Sequence, residues 1–532
     1  MGIAIDFGTS NTVIARWNRA TQQPETLSLP GLSFRSGQNP PLIPSLVYVE
    51  DASQEKVVVG QFVRDRGLDL SSDPRFFRNF KRGIGSSVQG FLPELDGRSL
   101  RFEQVGQWFL SQVIQQLKAS EPETGESIVF TVPVDSFEAY RLWLGRVSEV
   151  LKIAQVRMLD EPTAAALGYG LADRENLLVV DFGGGTLDLS LVSLDRTTQQ
   201  AKPIGFILKW GQKSFAEKSA QQHKTARVIA KAGQTLGGSD LDNWLVDHFA
   251  TTQNLAVSPL TTRLAERLKI QLSLQTQAQE VYFNDETFDS YELQLSRPQF
   301  EEILRQHQFF DRLDDCMAQV LQQARRQGFE KSDIDAVLLV GGTSQVPAVQ
   351  SWVRQYFDAD KVRCEKPFEA IAQGALQLSQ GVEIKDFLYH SYGVRYWDRR
   401  NNCHSWHPII KTGQFYPMRD PVDLVLGASL ENQPSIELIV GEMGAETEQT
   451  EVYFDGDRLI TRRVASSQST VQPLNDREGA RSIAQLDPPG FPGSDRVKVQ
   501  FRVDEQRFLR ITVEDLLALR TLVDDQPVVQ LS

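Results

Sequence analysis

The residues best suited to chemistry lie in Asp181-Phe182-Gly183-Gly184-Gly185-Thr186-Leu187-Asp188, where one carboxylate precedes a run of glycines and a second follows it. Glycine at a tight turn lets backbone N–H groups approach an anion closely. A carboxylate on each side makes little sense for a bare phosphate and good sense for phosphate with a divalent cation. Apolar runs at 177–180 and 187–192 flank the turn, so the element that must carry it is strand, turn, strand. An ordinary glycine hairpin would have the same local pattern. The N-terminus repeats it: Ile3-Ala4-Ile5, then Asp6-Phe7-Gly8-Thr9-Ser10-Asn11, then Thr12-Val13-Ile14-Ala15. Two copies predict two related half-domains, each presenting a hairpin to one shared ligand, for which a nucleotide is the natural candidate.

A chain of 532 residues is too long for one core and predicts two to four domains. With 56 Lys and Arg against 69 Asp and Glu, the net charge is −13, so neither nucleic acid nor an anionic membrane is the expected partner. Three cysteines without paired spacing and six scattered histidines predict no disulfide framework, no zinc site and no metal cluster. They fit a reducing compartment. No apolar run approaches the ~20 residues of a membrane span, and the chain opens on a strand without a basic leader. A soluble cytoplasmic protein is the expectation.

The segments between and after the hairpins must position further groups. Phe80-Lys81-Arg82-Gly83-Ile84-Gly85 sets a basic pair beside glycines. That is either a solvated turn or, next to two phosphate hairpins, a lysine that orients attacking water or contacts a terminal phosphate. Helical spacing over 101–118 and 137–152 brackets a buried strand at 127–133. Residues 156–168 run strand into helix, with Pro162 in the first turn, where its missing N–H costs nothing. Glu161 at that junction is either a helix-start carboxylate favoured by the dipole or a ligand group at the carboxyl end of an α/β sheet. Residues 202–231 hold a lysine-rich stretch (209–224) that reads as a solvated loop insertion. Gly237-Gly238 opens a helix over 239–249, as a phosphate site or as an ordinary cap. A helix over 264–274 puts Glu266, Lys269 and Ser273 on one face, and a buried strand at 336–340 runs into Gly341-Gly342-Thr343-Ser344-Gln345.

Ile5-Asp6-Phe7-Gly8-Thr9, Phe80-Lys81-Arg82-Gly83-Ile84-Gly85, Thr131-Val132-Pro133, Asp160-Glu161-Pro162-Thr163-Ala164-Ala165-Ala166-Leu167, Asp181-Phe182-Gly183-Gly184-Gly185-Thr186, Leu236-Gly237-Gly238-Ser239-Asp240-Leu241-Asp242 and Leu339-Val340-Gly341-Gly342-Thr343 follow one another as in the heat-shock protein 70 (DnaK-like) family, which the chain resembles. The resemblance implies an α/β actin-like ATPase, a duplicated, two-lobed nucleotide-binding domain with ATP or ADP and magnesium in its cleft, followed by a C-terminal all-β sandwich-like domain. It implies that Asp6, Asp181 and Asp188 organise magnesium through its waters. Lys81 and Glu161 would position the nucleophilic water, with Asp181 and Thr186 completing the catalytic set. Gly8, Thr9, Ser10, Asn11, Gly183, Gly184 and Gly185 would hold phosphates. Gly237, Gly238, Glu266, Lys269 and Ser273 would meet the nucleotide from one side, and Gly341, Gly342, Thr343 and Gln345 would close over its base. Pro133 and Arg141 match positions that relay nucleotide state in the family, and Arg157 matches a J-domain contact. Two departures fall near the base, where Gln345 replaces an arginine that stacks on adenine and Ile270 replaces a second cation; in 366–375, Phe368 replaces an acidic residue. Each lost cation–π contact, ~0.5–2 kcal/mol, weakens nucleotide affinity without altering the chemistry.

The predicted organisation is a nucleotide-binding domain over 1–380, a linker over 381–390 and a β-rich domain over 391–532. Lys385-Asp386 resembles the family linker, whereas Tyr389-His390-Ser391 replaces the more hydrophobic, acid-terminated run that docks on the ATPase domain and meets J-domain partners. Strands are expected at 435–440, 451–464, 496–503, 508–513 and 528–531, with Asp455-Gly456 a strong hairpin signal. A proline-rich loop over 465–493 interrupts them. A chain ending at Ser532 near a strand predicts no helical lid, and hence fast exchange of bound peptide. Two functions suit this layout. One is an Hsp70-like ATP-dependent chaperone of protein folding and stress response that binds unfolded or extended polypeptides, with a J-domain protein and a nucleotide-exchange factor as partners. The other is an actin-like ATPase whose β tail is an adaptor for one dedicated protein. A sugar or acetate kinase is disfavoured because Lys81 and Glu161 match the hydrolytic family.

Overall fold

The computed structural model describes residues 2–531 apart from 19, 38, 86–92, 122–126, 134–137, 154, 171–174, 196–224, 285–286, 378–387, 389, 399–402, 412–413, 415, 419, 444–448, 456–457, 465–470, 477–481 and 505–506. It divides into two compact units, Met1–Ile384 with Glu451–Thr461, and Lys385–Thr450 with Arg462–Ser532. Among the described residues no helix is long and apolar enough to cross a membrane.

The first unit is built twice from one plan. In the first lobe the strands Gly2–Phe7, Asn11–Asn18 and Gln23–Thr26 form an antiparallel meander, Ser127–Val132 pairs parallel with the first strand, and Gln155–Asp160 pairs parallel with Ser127–Val132. The second lobe repeats this with Glu175–Phe182, Leu187–Asp195 and Thr225–Gln234, then Ala336–Val340 and Val362–Arg363. The helices keep step. Phe102–Ser120 precedes and Glu138–Val150 follows the first parallel strand of one lobe, as Phe309–Arg326 and Pro347–Tyr356 do in the other. The parallel strands Ser127–Val132 and Ala336–Val340 are near-continuous apolar runs because both faces are covered by protein.

Each lobe closes on a short small-residue helix, Glu161–Gly168 and Ala370–Ala375, and these two pack on each other inside the core shared by both sheets. A Cβ on Gly168 would lie 1.9 Å from the carbonyl oxygen of Ala370, and one on Gly374 would lie 1.8 Å from that of Ala164. Only glycine permits this backbone approach, and it brings the ends of the two sheets, where the hairpins sit, to one cleft.

The second unit is all β among its described residues. Its larger sheets have the orders Cys403–Ile410, Ser391–Asp398, Val440–Met443, Val471–Pro473, and Val422–Gly427, Asp495–Val503, Phe508–Asp515, Arg520–Gln530. Phe508–Asp515 alternates strictly between half-buried and buried positions, as a sheet with one covered face requires. A buried pair, Arg496 with Asp515 at 2.8 and 3.0 Å, closes the end of this sheet, and Asp515 also accepts the N–H groups of Leu517 and Ala518.

Two expectations need correction. The stretch 465–493 is not a plain loop, since Val471–Pro473 and Ser482–Gly490 are strands. Ser482–Gly490 accommodates Pro488 and Pro489 because it pairs only with Gln433–Leu438 and its register slips between Gln433 and Ser435, so the prolines interrupt no central ladder. Residues 435–440 do not make one strand: Gln433–Leu438 and Val440–Met443 join different sheets on either side of Ile439. Thr225–Gln234 is the edge strand of the second lobe, and the lysine-rich stretch 209–224 read as a loop insertion lies outside the described residues. Lys385, Asp386 and Tyr389 of the linker lie outside them too.

Candidate functional site

Both hairpins carry their aspartate at the end of the first strand, but the residues across from them differ. Asp181 lies directly opposite Asp188, whereas Asp6 lies opposite Val13 and takes a hydrogen bond from the hydroxyl of Thr131 at 2.8 Å. The two turns meet. A Cβ on Gly184 would fall 1.9 Å from Ser10 Oγ, and one on Gly185 2.7 Å from Thr9 Oγ1. The start of helix Gly238–Gln253 reaches the same point: the N–H groups of Gly238 and Ser239 donate to the carbonyls of Gly183 and Gly184, each at 3.0 Å. Two of the N–H groups that every helix leaves unpaired at its start are thus taken up by the glycine turn. Thr343, beyond strand Ala336–Val340, donates its hydroxyl to Gly183 O at 2.8 Å.

Lys81 sits in the single turn Phe80–Gly83 and Glu161 at the junction of Gln155–Asp160 with its helix, which Asp160 caps by accepting Thr163 N–H at 2.8 Å. Lys81 Nζ donates to Glu161 Oε1 at 3.2 Å and lies 5.7 Å from the Phe7 ring. Burial would lower the Lys81 ammonium, but Glu161, Tyr140 and Asp6 outweigh it and hold it above its ordinary value. Burial first, and then the charge of Glu161, push Asp6 up to about 7 against the pull of Lys81 and Thr131. Asp181 is held well above the usual carboxylate range by burial and by the like charges of Glu161, Asp188 and Asp6. A cavity opens here, lined by Pro133, Glu161, Asp181, Asp188, Ser190 and Lys231.

Across the cleft, ion pairs join segments far apart in the chain. Arg82 donates to Gly185 O at 2.6 Å and to Asp240 Oδ2 at 2.9 Å, and the same oxygen accepts Gly237 N–H at 2.7 Å. Ser239 Oγ donates to Asn79 Oδ1 at 3.0 Å. Arg64 meets Glu266 at 2.7 Å and Arg263 meets Asp69 at 3.0 Å. Burial would raise Glu266, yet Arg64 and Lys269 hold it below its ordinary value. Lys269 bonds Asp242 Oδ1 at 2.7 Å and Gly238 O at 2.8 Å, while burial, opposed by Lys269, brings Asp242 to about 6.

The structure therefore gathers Gly8, Thr9, Ser10, Asp6, Lys81, Glu161, Asp181, Gly183, Gly184, Gly185, Asp188, Gly237, Gly238, Lys269, Gly341 and Thr343 about one cleft. Asn11 opens the strand that leaves the first turn, and Thr186 closes the second, its carbonyl accepting Gly183 N–H at 3.1 Å. Ser273 turns instead to the Lys269 carbonyl of its own helix. Gln345 is half-buried and Ile270 exposed, and the Phe368 ring lies beside Gly342, 3.0 Å from where its Cβ would be. Sequence reasoning missed Arg82, Asn79, Thr131 and Arg64. Arg82 left a local sign as the second member of the basic pair, and Thr131 as the first residue of Thr131-Val132-Pro133.

The carboxylates fit a divalent cation held through its waters. Asp181 and Asp188 face each other, and burial with the like charges of Glu161, Asp188 and Asp6 raises Asp181 against the pull of Lys81, so a further positive charge beside these carboxylates is favoured. A hydrated magnesium asks for this kind of site.

The family model described as Hsp70 protein matches residues 56–218 and 223–390. Chaperone protein dnaK1 of Synechocystis sp. is 28% identical over 434 residues, which cover 76% of this chain and 54% of that protein. The chain thus spans about half the length of the curated relative it matches.

Proposed function

This chain belongs to the Hsp70 family, and we propose that it is an Hsp70-like chaperone that hydrolyses ATP between its two hairpins and uses that cycle to govern binding of unfolded or extended polypeptide. The supporting observation is the convergence of both glycine turns, the Lys81–Glu161 pair, the start of helix Gly238–Gln253 and Thr343 on one cleft. In this reading 1–380 is the nucleotide-binding domain, 381–390 the linker and 391–532 the polypeptide-binding domain. A J-domain protein and a nucleotide-exchange factor are its partners.

Phosphoryl transfer to water needs little covalent work from protein, so positioning and charge carry the catalysis. The turns at Gly8–Ser10 and Gly183–Gly185 cradle the phosphates with backbone N–H groups. Asp6, Asp181 and Asp188 would hold a hydrated magnesium, which would supply charge neutralisation of the phosphates. Lys81 and Glu161, already hydrogen-bonded to each other, hold the attacking water in line. Glu266 and Lys269 hold the sugar and base side, with Gln345 and Ile270 in place of the family's cations.

The test is the dissociation rate of a panel of labelled extended peptides from the full chain, with and without ATP. The chaperone reading expects ATP to speed release. Peptides that do not bind, or that leave at a rate indifferent to ATP, contradict it and favour the dedicated adaptor.

A further inference from the structure

The glycine turn at 183–185 is held by its carbonyls. Gly183 O accepts the N–H of Gly238 at 3.0 Å and the hydroxyl of Thr343 at 2.8 Å, and Gly184 O accepts the N–H of Ser239 at 3.0 Å. These donors all belong to the second lobe. Gly185 O differs: among the described residues its one donor is Arg82 of the first lobe, whose Nη2 lies 2.6 Å away and also reaches Gly184 O at 3.3 Å. The Arg82 side chain is 4% exposed and lies against the turn, since a Cβ on Gly185 would fall 2.8 Å from its Nε. Asp240 Oδ2 accepts from the same Nη2 at 2.9 Å and from Gly237 N–H at 2.7 Å, which anchors the guanidinium to the start of helix Gly238–Gln253.

The peptides of the turn are trans, and a trans peptide points its C=O and N–H in opposite directions. A donor on Gly185 O therefore sets the direction of Thr186 N–H, as the donors on Gly183 O and Gly184 O set those of Gly184 and Gly185. Among the described residues these three N–H groups have no hydrogen-bond acceptor. Successive N–H groups left open in this way make an anion-binding concavity. Two of its peptides are aligned from within the second lobe, and the third depends on an arginine reaching across the cleft. Arg82 follows Lys81 in the single turn Phe80–Gly83, so the peptide it aligns is tied to the segment that carries the Lys81–Glu161 pair.

We propose that Arg82 is a positioning residue for ATP hydrolysis: by holding Gly185 O it aims Thr186 N–H at the terminal phosphate. This rests on the ATP-hydrolysis reading above. The aimed N–H meets negative charge on the terminal phosphate as the transition state forms, and a donor fixed in advance costs no reorganisation at that moment. ADP lacks that phosphate, so its affinity does not depend on the aimed N–H.

The test compares Arg82→Lys and Asp240→Asn with wild type in the full chain, by single-turnover ATP hydrolysis and by Mg-ADP affinity. Lysine keeps a charge beside Asp240 but replaces the guanidinium fork with a shorter side chain and a point charge. Asp240→Asn removes the ion pair, keeps an acceptor for Gly237 N–H and leaves Arg82 its bond to Gly185 O. The expected result is hydrolysis slowed about tenfold in Arg82→Lys, less than follows outright loss of such a donor, and no more than about threefold in Asp240→Asn. Mg-ADP affinity should stay within twofold of wild type in both. Hydrolysis by Arg82→Lys within twofold of wild type overturns the proposal. So does Asp240→Asn slowed as far as Arg82→Lys, or Mg-ADP affinity that falls with the rate, each the signature of a clamp between the lobes and not of an aimed peptide. A wild type that binds ATP without hydrolysing it overturns the hydrolysis reading, and the proposal with it, before the variants are compared.

Discussion

The Asp6 and Asp181 hairpins occupy equivalent places in two lobes of identical strand order, yet their surroundings differ. The Asp181 turn is three glycines with a second carboxylate directly across the ladder, whereas the Asp6 turn carries Thr9 and Ser10 and faces Val13. Duplication supplied the symmetric scaffold, down to the reciprocal contacts of Gly168 and Gly374. Divergence then placed paired negative charge on one side and Lys81 with Glu161 on the other. In the proposed reading the first lobe supplies Lys81, Glu161 and Asp6, and the second supplies the facing pair Asp181 and Asp188.

The largest expected effects break that division. Lys81→Ala and Asp181→Ala should each lower ATP turnover by about 10²-fold or more, the usual loss when one preorganised charge is removed. Normal steady-state hydrolysis by either variant would dissolve the division. Next, the symmetric scaffold predicts that Gly168→Ala and Gly374→Ala are comparably damaging, because each drives a methyl group into backbone 1.9 or 1.8 Å away. Thermal unfolding should fall by about 5 °C or more in both; tolerance of one and not the other would mean that the lobes do not share their core equally.

A smaller effect distinguishes the hairpins by pH. A carboxylate raised in the folded state favours folding below its unfolded value near 4 and loses that contribution as pH climbs through the folded value, about 7 for Asp6. The nucleotide-free protein should therefore lose stability between pH 4 and 7. Asp181→Asn should unfold at higher temperature than wild type at pH 8, by about 2–4 °C, with the gain vanishing near pH 4. Asp6→Asn should gain less, since Asp6 has no carboxylate across from it. Equal gains, or a gain confined to acid pH, would contradict the asymmetry. The smallest effect is at the base: Gln345→Arg should tighten nucleotide binding about 2–10-fold with unchanged hydrolysis, as read by titration.

Much of the first unit was legible because its signals are local. A strand, a glycine turn and a strand follow one another without a break, over 2–18 and again over 175–195, and Pro162 after Glu161 marks a helix start by its own chemistry. The cross-cleft partners were not legible, because Arg82 with Asp240 and Arg64 with Glu266 are joined by the fold and not by spacing. Glu266 and Lys269 were read as one nucleotide-facing surface, while the structure also gives them protein partners in Arg64 and Asp242. In the second unit, Pro488 and Pro489 read as loop, and only the pairing of Ser482–Gly490 with a single strand explains their place in a sheet.

In the proposed reading both hairpins jointly hold one magnesium-dependent nucleotide. Calorimetric titration of the full chain with ATP, with magnesium and with chelator, tests it in wild type, Asp6→Asn and Asp181→Asn. The account predicts one site per chain, weakened by chelation and by either substitution. Binding that is indifferent to magnesium, or unchanged in both variants, would contradict it.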